Sequence, residues 1–226
     1  MKIEIWSDVV CPFCYMGKRR LEIALEQFKG KDDVELVWHS FQLDPVAERD
    51  PGKDIYEHLA EKYGQTREWA KERNDELAAQ AREIGLEYNF DRVIPANTFD
   101  AHRLIHLAAK HDLQAKAEQR LFAAYFTEGK DISDHDTLGR LGVEIGLDGK
   151  EVRDALGSSA YANEVKEDIE EAEALGIHGV PFFVFNRKYA ISGAQPSHLF
   201  LETLEKVSEE ERVRPIGLKA DAGSDA

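Results

Sequence analysis

Two cysteines three positions apart carry the clearest chemical signal in this 226-residue chain. Cys11 and Cys14 flank Pro12 and Phe13, and they are the only cysteines in the sequence. The thiolate is the form of cysteine that attacks disulfides, and a pair at this spacing can form and break a disulfide between its own two sulfurs. The motif therefore predicts redox chemistry, with Cys11 as the nucleophile and Cys14 as the thiol that resolves a mixed disulfide.

Two other uses of the cysteine pair compete with the redox interpretation. A purely structural disulfide is disfavoured, because closing so short a loop constrains the unfolded chain very little. A zinc site needs two more ligands, and the sequence has no second pair of cysteines to supply them. A nearby pair of histidines could complete such a site, so the alternative stays open on the sequence alone, although we predict no metal.

The elements on either side of the motif must place it at the start of a helix. Residues 2–6 alternate polar and apolar side chains, which is typical of a half-buried strand. From Pro12 onward the apolar spacing favours a helix, and proline suits the first helical position. Cys11 then lies at a helix N-terminus, where free backbone N–H groups and the helix dipole stabilise negative charge. We expect Cys11 to be the exposed and the more acidic of the two thiols.

The remaining pattern predicts an α/β domain interrupted by a long helical segment. A strand over 34–43 follows the first helix, and the two strands then form a βαβ unit with parallel pairing. The pattern is helical almost throughout from about residue 54 to residue 175. After the helical segment the pattern predicts a β-hairpin, with strands over 182–185 and 189–192 and a turn over 186–188. A helix over 197–207 follows it.

These boundaries divide the chain into two domains and a tail. Residues 1–52 and 176–208 form a discontinuous α/β domain, residues 53–175 form a helical insertion domain, and residues 209–226 form a mobile C-terminal tail. The helices predicted within the insertion lie at 55–64, 66–85, 97–111, 113–126, 134–145, 149–156 and 159–175.

The composition excludes several classes of function. The formal net charge of −15 opposes binding to nucleic acid or to anionic membranes, and no apolar stretch is long enough to span a membrane. The first residues run directly into a strand without a secretory leader, so we expect a cytoplasmic location. In a reducing compartment, a close pair of cysteines is more often catalytic than structural.

Several blocks of sequence resemble the DsbA-like oxidoreductases, and most closely the FrnE-like branch of that family. The blocks lie in the same order as in that family and cover 6–17, 97–104, 176–183 and 191–196. The resemblance implies a thioredoxin fold with a large helical insertion, in which a cis-proline at Pro181 faces Cys11. Val180 would then offer backbone N–H and C=O groups to an extended substrate. The resemblance also provides candidates for the lining of the cleft, which are Asn97, His102 and Gln195.

The resemblance implies a dithiol-disulfide oxidoreductase or isomerase without a metal or an organic cofactor, with glutathione as a candidate co-substrate. The partner would be a protein or a small molecule that carries a thiol or a disulfide. One rival is a glutathione-dependent enzyme like the 2-hydroxychromene-2-carboxylate isomerases or the kappa-class transferases. These enzymes carry serine in place of the first cysteine and lack the second, so the intact pair argues against them. A binding or chaperone module with an incidental cysteine pair is the second rival.

Histidines and acidic runs elsewhere in the chain are predicted to have structural roles. We assign none of the three histidines as a catalytic base. His39 is expected to cap the edge of the sheet, His102 to line the cleft from an insertion helix, and His178 to hold the loop before Pro181. The acidic runs over 167–171 and 209–211 are expected to be solvated helix faces.

Overall fold

A four-stranded mixed sheet forms the centre of the protein in its computed structural model, which describes residues 1–48 and 52–213. The strands are β1 (Lys2–Ser7), β2 (Glu35–Ser40), β3 (Phe182–Phe185) and β4 (Tyr189–Ser192). Their order across the sheet is β2-β1-β3-β4. β2 is parallel to β1, with Trp38 opposite Ile5, and β3 is antiparallel to β1, with Phe183 opposite Ile5. The predicted parallel βαβ unit and the predicted β-hairpin are both confirmed.

Helices make up most of the rest of the described chain. They are α1 (Pro12–Gln27), α2 (Ile55–Tyr63), α3 (Arg67–Glu83), α4 (Phe99–Ala109), α5 (Gln114–Phe122), α6 (His135–Glu144), α7 (Gly149–Leu156), α8 (Ala162–Ala174) and α9 (Ser197–Val213). Several insertion helices begin at a side chain that accepts a hydrogen bond from their first turn, namely Asp54, Thr66, Asp134 and Asp148. None of the described helices is long and apolar enough to cross a membrane.

Some elements end at other residues than the sequence pattern predicts. β2 stops at Ser40 rather than at residue 43, because the backbone N–H of Leu43 turns away and donates to Asp8 Oδ2 at 2.8 Å. The helix predicted over 113–126 is α-helical only to Phe122 and continues as a π-helical turn. α9 extends to Val213, so residues 209–213 are helical rather than part of a tail. The rest of the predicted tail, 214–226, lies outside the described residues.

β1 is buried on both faces, so the prediction of a half-buried strand was wrong. Ile3 and Ile5 are fully buried, and Glu4 on the opposite face is buried too. Both carboxylate oxygens of Glu4 accept hydrogen bonds from the guanidinium of Arg187, in the turn between β3 and β4. Arg187 also donates to Glu171 of α8 at 2.7 Å. A carboxylate can be buried when an arginine binds it in a bidentate manner. The polar residue at position 4 therefore did not mark a face of β1 that is exposed to solvent.

The hydrophobic core has two main clusters, and the cysteine motif belongs to the cluster of the helical insertion. One cluster contains the sheet together with α1 and α9, and includes Phe183 and Phe200. The other contains the insertion helices, but it also includes Cys14, Tyr15 and Met16 from the first turns of α1. The two predicted domains therefore share α1, which has one part of its surface in each cluster.

A buried carboxylate joins α8 to the sheet and to α4. Asp168 is 9% exposed, so its predicted place on a solvated acidic face was wrong. Its Oδ1 lies 2.6 Å from His39 Nδ1, while its Oδ2 lies 2.9 Å from His106 Nε2 and accepts the Ser40 backbone N–H at 2.7 Å. Burial alone would raise the pKa of Asp168, but the hydrogen bonds from His106 and His39 overcome that effect and hold it well below its usual range.

Candidate active site

Helix α1 begins at the cysteine motif, and no side chain caps it. Cys11 is the N-cap residue in an extended conformation, and proline follows at the start of the helix. The Cys11 N–H donates to Asp8 O at 2.9 Å, and the Cys14 N–H donates to Cys11 O at 3.0 Å, so the turn itself is fixed by backbone hydrogen bonds. The Phe13 N–H and the dipole of α1 are therefore available to a negative charge on the Cys11 sulfur.

The segment that precedes β3 lies directly opposite Cys11. The Cys11 Sγ is 3.7 Å from the backbone oxygen of Val180, and the Val180–Pro181 peptide bond is cis. Pro181 O accepts the Gly193 N–H at 2.8 Å, which ties this segment to the end of β4. A Cβ atom on Gly17 would lie only 2.9 Å from Pro181 Cγ. Glycine at position 17 therefore allows α1 to approach the proline closely enough to bring Cys11 against Val180.

Both cysteines are free thiols and both are buried, so the prediction that Cys11 is exposed was wrong. Cys11 is 3% exposed and Cys14 is 1% exposed, whereas Phe13 between them is 45% exposed. The helical insertion covers the motif, and the Tyr88 hydroxyl donates to Pro12 O at 2.7 Å. Burial, and then a negative charge at Cys11, raise the pKa of Tyr88, so this hydroxyl keeps its proton and remains a donor.

Cys14 lies beneath Cys11, in surroundings that favour its neutral thiol. Burial raises the pKa of Cys14 well above its usual value, and the hydrogen bond and charge of Cys11 raise it further. A backbone hydrogen bond from Asp8 and the hydroxyl of Ser7 act in the opposite direction but do not cancel the effect. The two thiols are therefore chemically unequal, with one at an uncapped helix end and the other held protonated.

Cys11 opens onto a cavity of about 610 Å³. The walls come from the motif itself, from α2 and α3, and from segments near Phe90 and Phe126, while Val180 lies on the same wall as the sulfur. Apart from the thiol, the lining is largely aliphatic and aromatic. The Cys11 sulfur therefore borders a partly open and mainly apolar space.

Comparisons with known proteins identify the family. The model of the DSBA-like thioredoxin domain matches residues 2–205. The chain belongs to the DsbA-like thioredoxin domain family. It is also 32% identical over 202 residues to YwbO, an uncharacterized protein of Bacillus subtilis, in a match that covers 88% of this chain and 92% of YwbO.

Solved structures share the DsbA-like fold. The crystal structure of a probable DsbA oxidoreductase from Streptomyces coelicolor superposes with a TM-score of 0.90 at 41% identity, covering 96% of this chain and 93% of that one. A 2-hydroxychromene-2-carboxylate isomerase superposes with a TM-score of 0.70 at 15% identity, covering 94% and 98%, which shows the fold alone. The predicted family and the predicted α/β class, a thioredoxin fold with a helical insertion, are confirmed.

The structure brings together some of the site residues predicted from the DsbA-like resemblance. Pro12, Phe13 and Val180 line the cavity with Cys11, and Pro181 packs behind them on α1. The predicted cleft-lining residues do not line this cavity; they are Asn97, His102 and Gln195.

Each of these three side chains has a different structural place. The Asn97 Oδ1 accepts the Phe99 backbone N–H at 3.0 Å and so supports the start of α4. His102 is fully buried behind the motif, beside Asp8. Gln195 is exposed and donates to a backbone oxygen at the end of β4 at 2.9 Å. Their presence in family-like blocks did not indicate which way each side chain points.

A cluster of buried ionisable groups that we did not predict lies beneath the DsbA-like motif. Asp8, His102 and Glu118 are all buried, and His102 Nε2 lies 3.4 Å from Asp8 Oδ1. Burial raises the pKa of Glu118 to about 7. The sequence carried a signal, since Glu118 precedes Leu121 and Phe122 by three and four positions and so falls on the apolar stripe of α5.

One group of described residues has a geometry that could hold a metal ion, away from the cysteines. Ligand atoms of His39, Asp168 and Glu171 lie within 4.8 Å of one another. However, Asp168 already accepts the Ser40 N–H, and Glu171 is paired with Arg187. Protein donors therefore satisfy both carboxylates, and we assign no metal to this group.

Proposed function

We propose that the protein is a thiol–disulfide oxidoreductase in which Cys11 is the nucleophile and Cys14 is the resolving thiol. The observation that carries the proposal is the position of the Cys11 Sγ, at the uncapped N-terminus of α1 and 3.7 Å from Val180 O. The second thiol lies one helical turn further on and is buried. Membership of the DsbA-like family supports a redox enzyme in general, and the roles of the two cysteines are our inference.

In the reducing direction, the Cys11 thiolate attacks one sulfur of a substrate disulfide and displaces the other sulfur as a thiolate, which takes a proton from solvent. Cys14 then loses its proton and attacks the Cys11 Sγ, which releases the second substrate thiol. Two electrons have passed to the substrate, and the enzyme is left with a Cys11–Cys14 disulfide. An external dithiol, or two molecules of glutathione, must restore the reduced pair. The oxidising direction reverses these steps.

The other predicted residues support this exchange. Pro12 suits the first position of α1, where its missing N–H would have had no partner in the helix, and the dipole of α1 stabilises the thiolate of Cys11. The raised pKa of Cys14 keeps it protonated until the mixed disulfide has formed. Val180 offers its backbone to the substrate beside the reacting sulfur, and Pro181 positions Val180.

The rival function is a glutathione-dependent isomerase or transferase with the same fold. We do not favour it, because the second thiol would then have no role. Glutathione as a co-substrate and a cytoplasmic location stay predictions of the sequence, as does the FrnE-like branch.

Equilibration of the purified protein with glutathione redox buffers tests the proposed function. We expect one two-electron transition between the dithiol and an intramolecular Cys11–Cys14 disulfide, measured by trapping free thiols and weighing the products by mass spectrometry. A pair that stays reduced under strongly oxidising buffers, or that forms disulfides only between molecules, contradicts the proposal.

We predict that Phe13→His raises the reduction potential of the pair by tens of millivolts, on the order of one tenfold change in the equilibrium constant. An imidazole N–H or imidazolium beside Cys11 stabilises the thiolate and therefore the reduced form, whereas the phenyl ring of Phe13 offers neither. The same glutathione equilibration measures the shift. Phe13→Leu is the matched control, and its potential should stay close to that of the wild type. An unchanged potential in Phe13→His would show that this position does not set the redox balance.

A further inference from the structure

The insertion encloses Cys11 in a space of the size that small organic ligands occupy. A volume of about 610 Å³ lies within the range of pockets that bury most of a drug-sized molecule. α2 and α3 supply one side of it, and Tyr125 and Phe126 from the π-helical turn supply another. Because Cys11 is 3% exposed, a substrate must enter this space before it can reach the sulfur.

Asn74 places an unused hydrogen-bond donor on the wall of the cavity. Its side chain is 3% exposed, and its Nδ2 has no hydrogen-bond partner among the described residues. The neighbouring positions on the same face of α3, Ala70 and Leu77, are apolar. Since buried polar groups are nearly always paired, this open donor on the cavity wall is available to an acceptor on a bound molecule.

The charged groups on the cavity wall already neutralise one another. Lys62 pairs with Asp44 at 3.2 Å, and Arg73 pairs with Glu76 at 2.8 Å. Burial, together with the nearby Lys62, lowers the pKa of His58, which keeps this imidazole neutral. Among the described residues of the wall, therefore, every charged side chain has a partner of opposite charge.

The exposed part of the cavity lining contains three large apolar side chains beside the charged residues Lys62, Arg73 and Glu76. The three apolar side chains are Phe13, Leu43 and Tyr63. They are among the few large apolar side chains of the described residues that are exposed to solvent. Trp69 and Phe90 continue the aromatic lining inward. Aromatic walls favour flat apolar groups through offset or edge-to-face contacts.

We infer that this cavity binds a small, neutral, aromatic disulfide or thiol with one hydrogen-bond acceptor, to which Asn74 donates while Cys11 exchanges with the ligand sulfur. The inference rests on the proposed function and names its substrate class. The exchange is the reaction written above, with an external dithiol as the electron donor. Glutathione disulfide fits poorly, because the charges that its carboxylates and ammonium groups would meet on the described wall are already paired with one another. A polypeptide fits poorly too, because the sulfur it must reach lies inside the enclosure.

A set of three disulfides tests the inference in dithiol-coupled turnover. N,N′-dibenzoylcystamine carries the ring and the acceptor, bis(phenylbutyl) disulfide keeps the ring on a spacer of the same length without the acceptor, and N,N′-diacetylcystamine keeps the acceptor without the ring. We expect kcat/KM for the first compound to exceed that for each of the others by about tenfold, roughly the effect of one buried hydrogen bond or one buried ring.

Asn74→Leu should remove the preference for the acceptor and keep the preference for the ring. In this variant kcat/KM for dibenzoylcystamine should fall about tenfold, while that for bis(phenylbutyl) disulfide stays within about twofold. Glu72→Leu places the same side chain on the solvent face of α3, outside the cavity lining, and should leave all three values unchanged.

Binding without turnover provides a second measurement. The dibenzoyl amide of hexamethylenediamine has two methylene groups in place of the two sulfurs, and calorimetry should show that it binds the wild-type protein about tenfold more tightly than Asn74→Leu. Equal kcat/KM for all three disulfides, equal binding by the two proteins, or faster turnover of insulin or glutathione disulfide than of dibenzoylcystamine would overturn the inference and leave the proposed function intact. If no disulfide is reduced at all, the proposed function fails first.

Discussion

Cys11→Ser is expected to abolish the reduction of disulfides, with a loss of roughly a thousandfold or more, on the scale seen when an enzyme loses its nucleophile. A serine hydroxyl is not ionised at neutral pH and cannot form a disulfide, so neither the attack nor the mixed disulfide is possible. Turnover of insulin or of a small disulfide in the presence of a dithiol measures the loss. Equal activity in the wild type and in Cys11→Ser would refute the proposed role.

Cys14→Ser should behave differently, because it removes only the second step. The Cys11 thiolate can still attack, but no neighbouring thiol releases the product, so a mixed disulfide should accumulate and appear as a mass increase equal to half of the substrate. The double variant Cys11→Ser/Cys14→Ser is the control, and it should show no adduct. An adduct that forms equally in the double variant would mean that the trapped sulfur is not at Cys11.

The second large effect is expected in the dependence of stability on pH. Burial raises the pKa of Glu118 from 4.5 to about 7, so the folded protein binds a proton that the unfolded chain releases at lower pH. The contribution of Glu118 to the free energy of unfolding is fully present below about pH 4.5. It is lost as the pH rises to about 7, and the loss amounts to up to about 3 kcal/mol. Burial disfavours the charged form of His102, but the hydrogen bond and the charge of Asp8 outweigh this effect and raise its pKa. The stability that His102 contributes is therefore also lost as the pH rises. Lys18 of α1 also acts on Glu118, and it lowers the pKa.

Glu118→Gln isolates the contribution of this carboxyl group. Glutamine has the same shape and no charge to bury, so the free energy of unfolding should fall less between pH 5 and pH 8 than in the wild type, by up to about 3 kcal/mol. Denaturant unfolding at both pH values measures the difference, and Glu72→Gln on the solvent face of α3 is the control. Parallel pH profiles in the wild type and in Glu118→Gln would show that Glu118 does not titrate in this range.

The sequence was sufficient for the parts of the fold that rest on strong local patterns. The apolar spacing from Pro12 onward predicts a helix and the apolar residues over 182–185 predict a strand, and the structure contains both as α1 and β3. Element boundaries were less predictable where a tertiary contact decides them. The end of β2 depends on a hydrogen bond to Asp8, and the π-helical turn after Phe122 has no signal in residue type.

The candidate site was predictable in its chemistry but not in its enclosure. Nothing local to Cys11 indicates that helices from residues 55 to 83 cover it, because that contact joins segments far apart in the chain. Asn74 resembles an ordinary polar position of an amphipathic helix, and only its burial without a partner distinguishes it. Glu118 was the exception, since a charge on the apolar stripe of α5 could have been noticed.

The membership of Cys14, Tyr15 and Met16 in the core of the insertion has a consequence for engineering. A minimal thioredoxin made by excising residues 53–175 would lose the apolar partners of these side chains and would expose the motif to water. Transplanting the helical segment into another thioredoxin scaffold would likewise leave it without the surface of α1 that completes its interior. The insertion therefore cannot be moved between proteins as an independent unit. New specificity is better sought by changing side chains on α2 and α3 than by exchanging the whole segment.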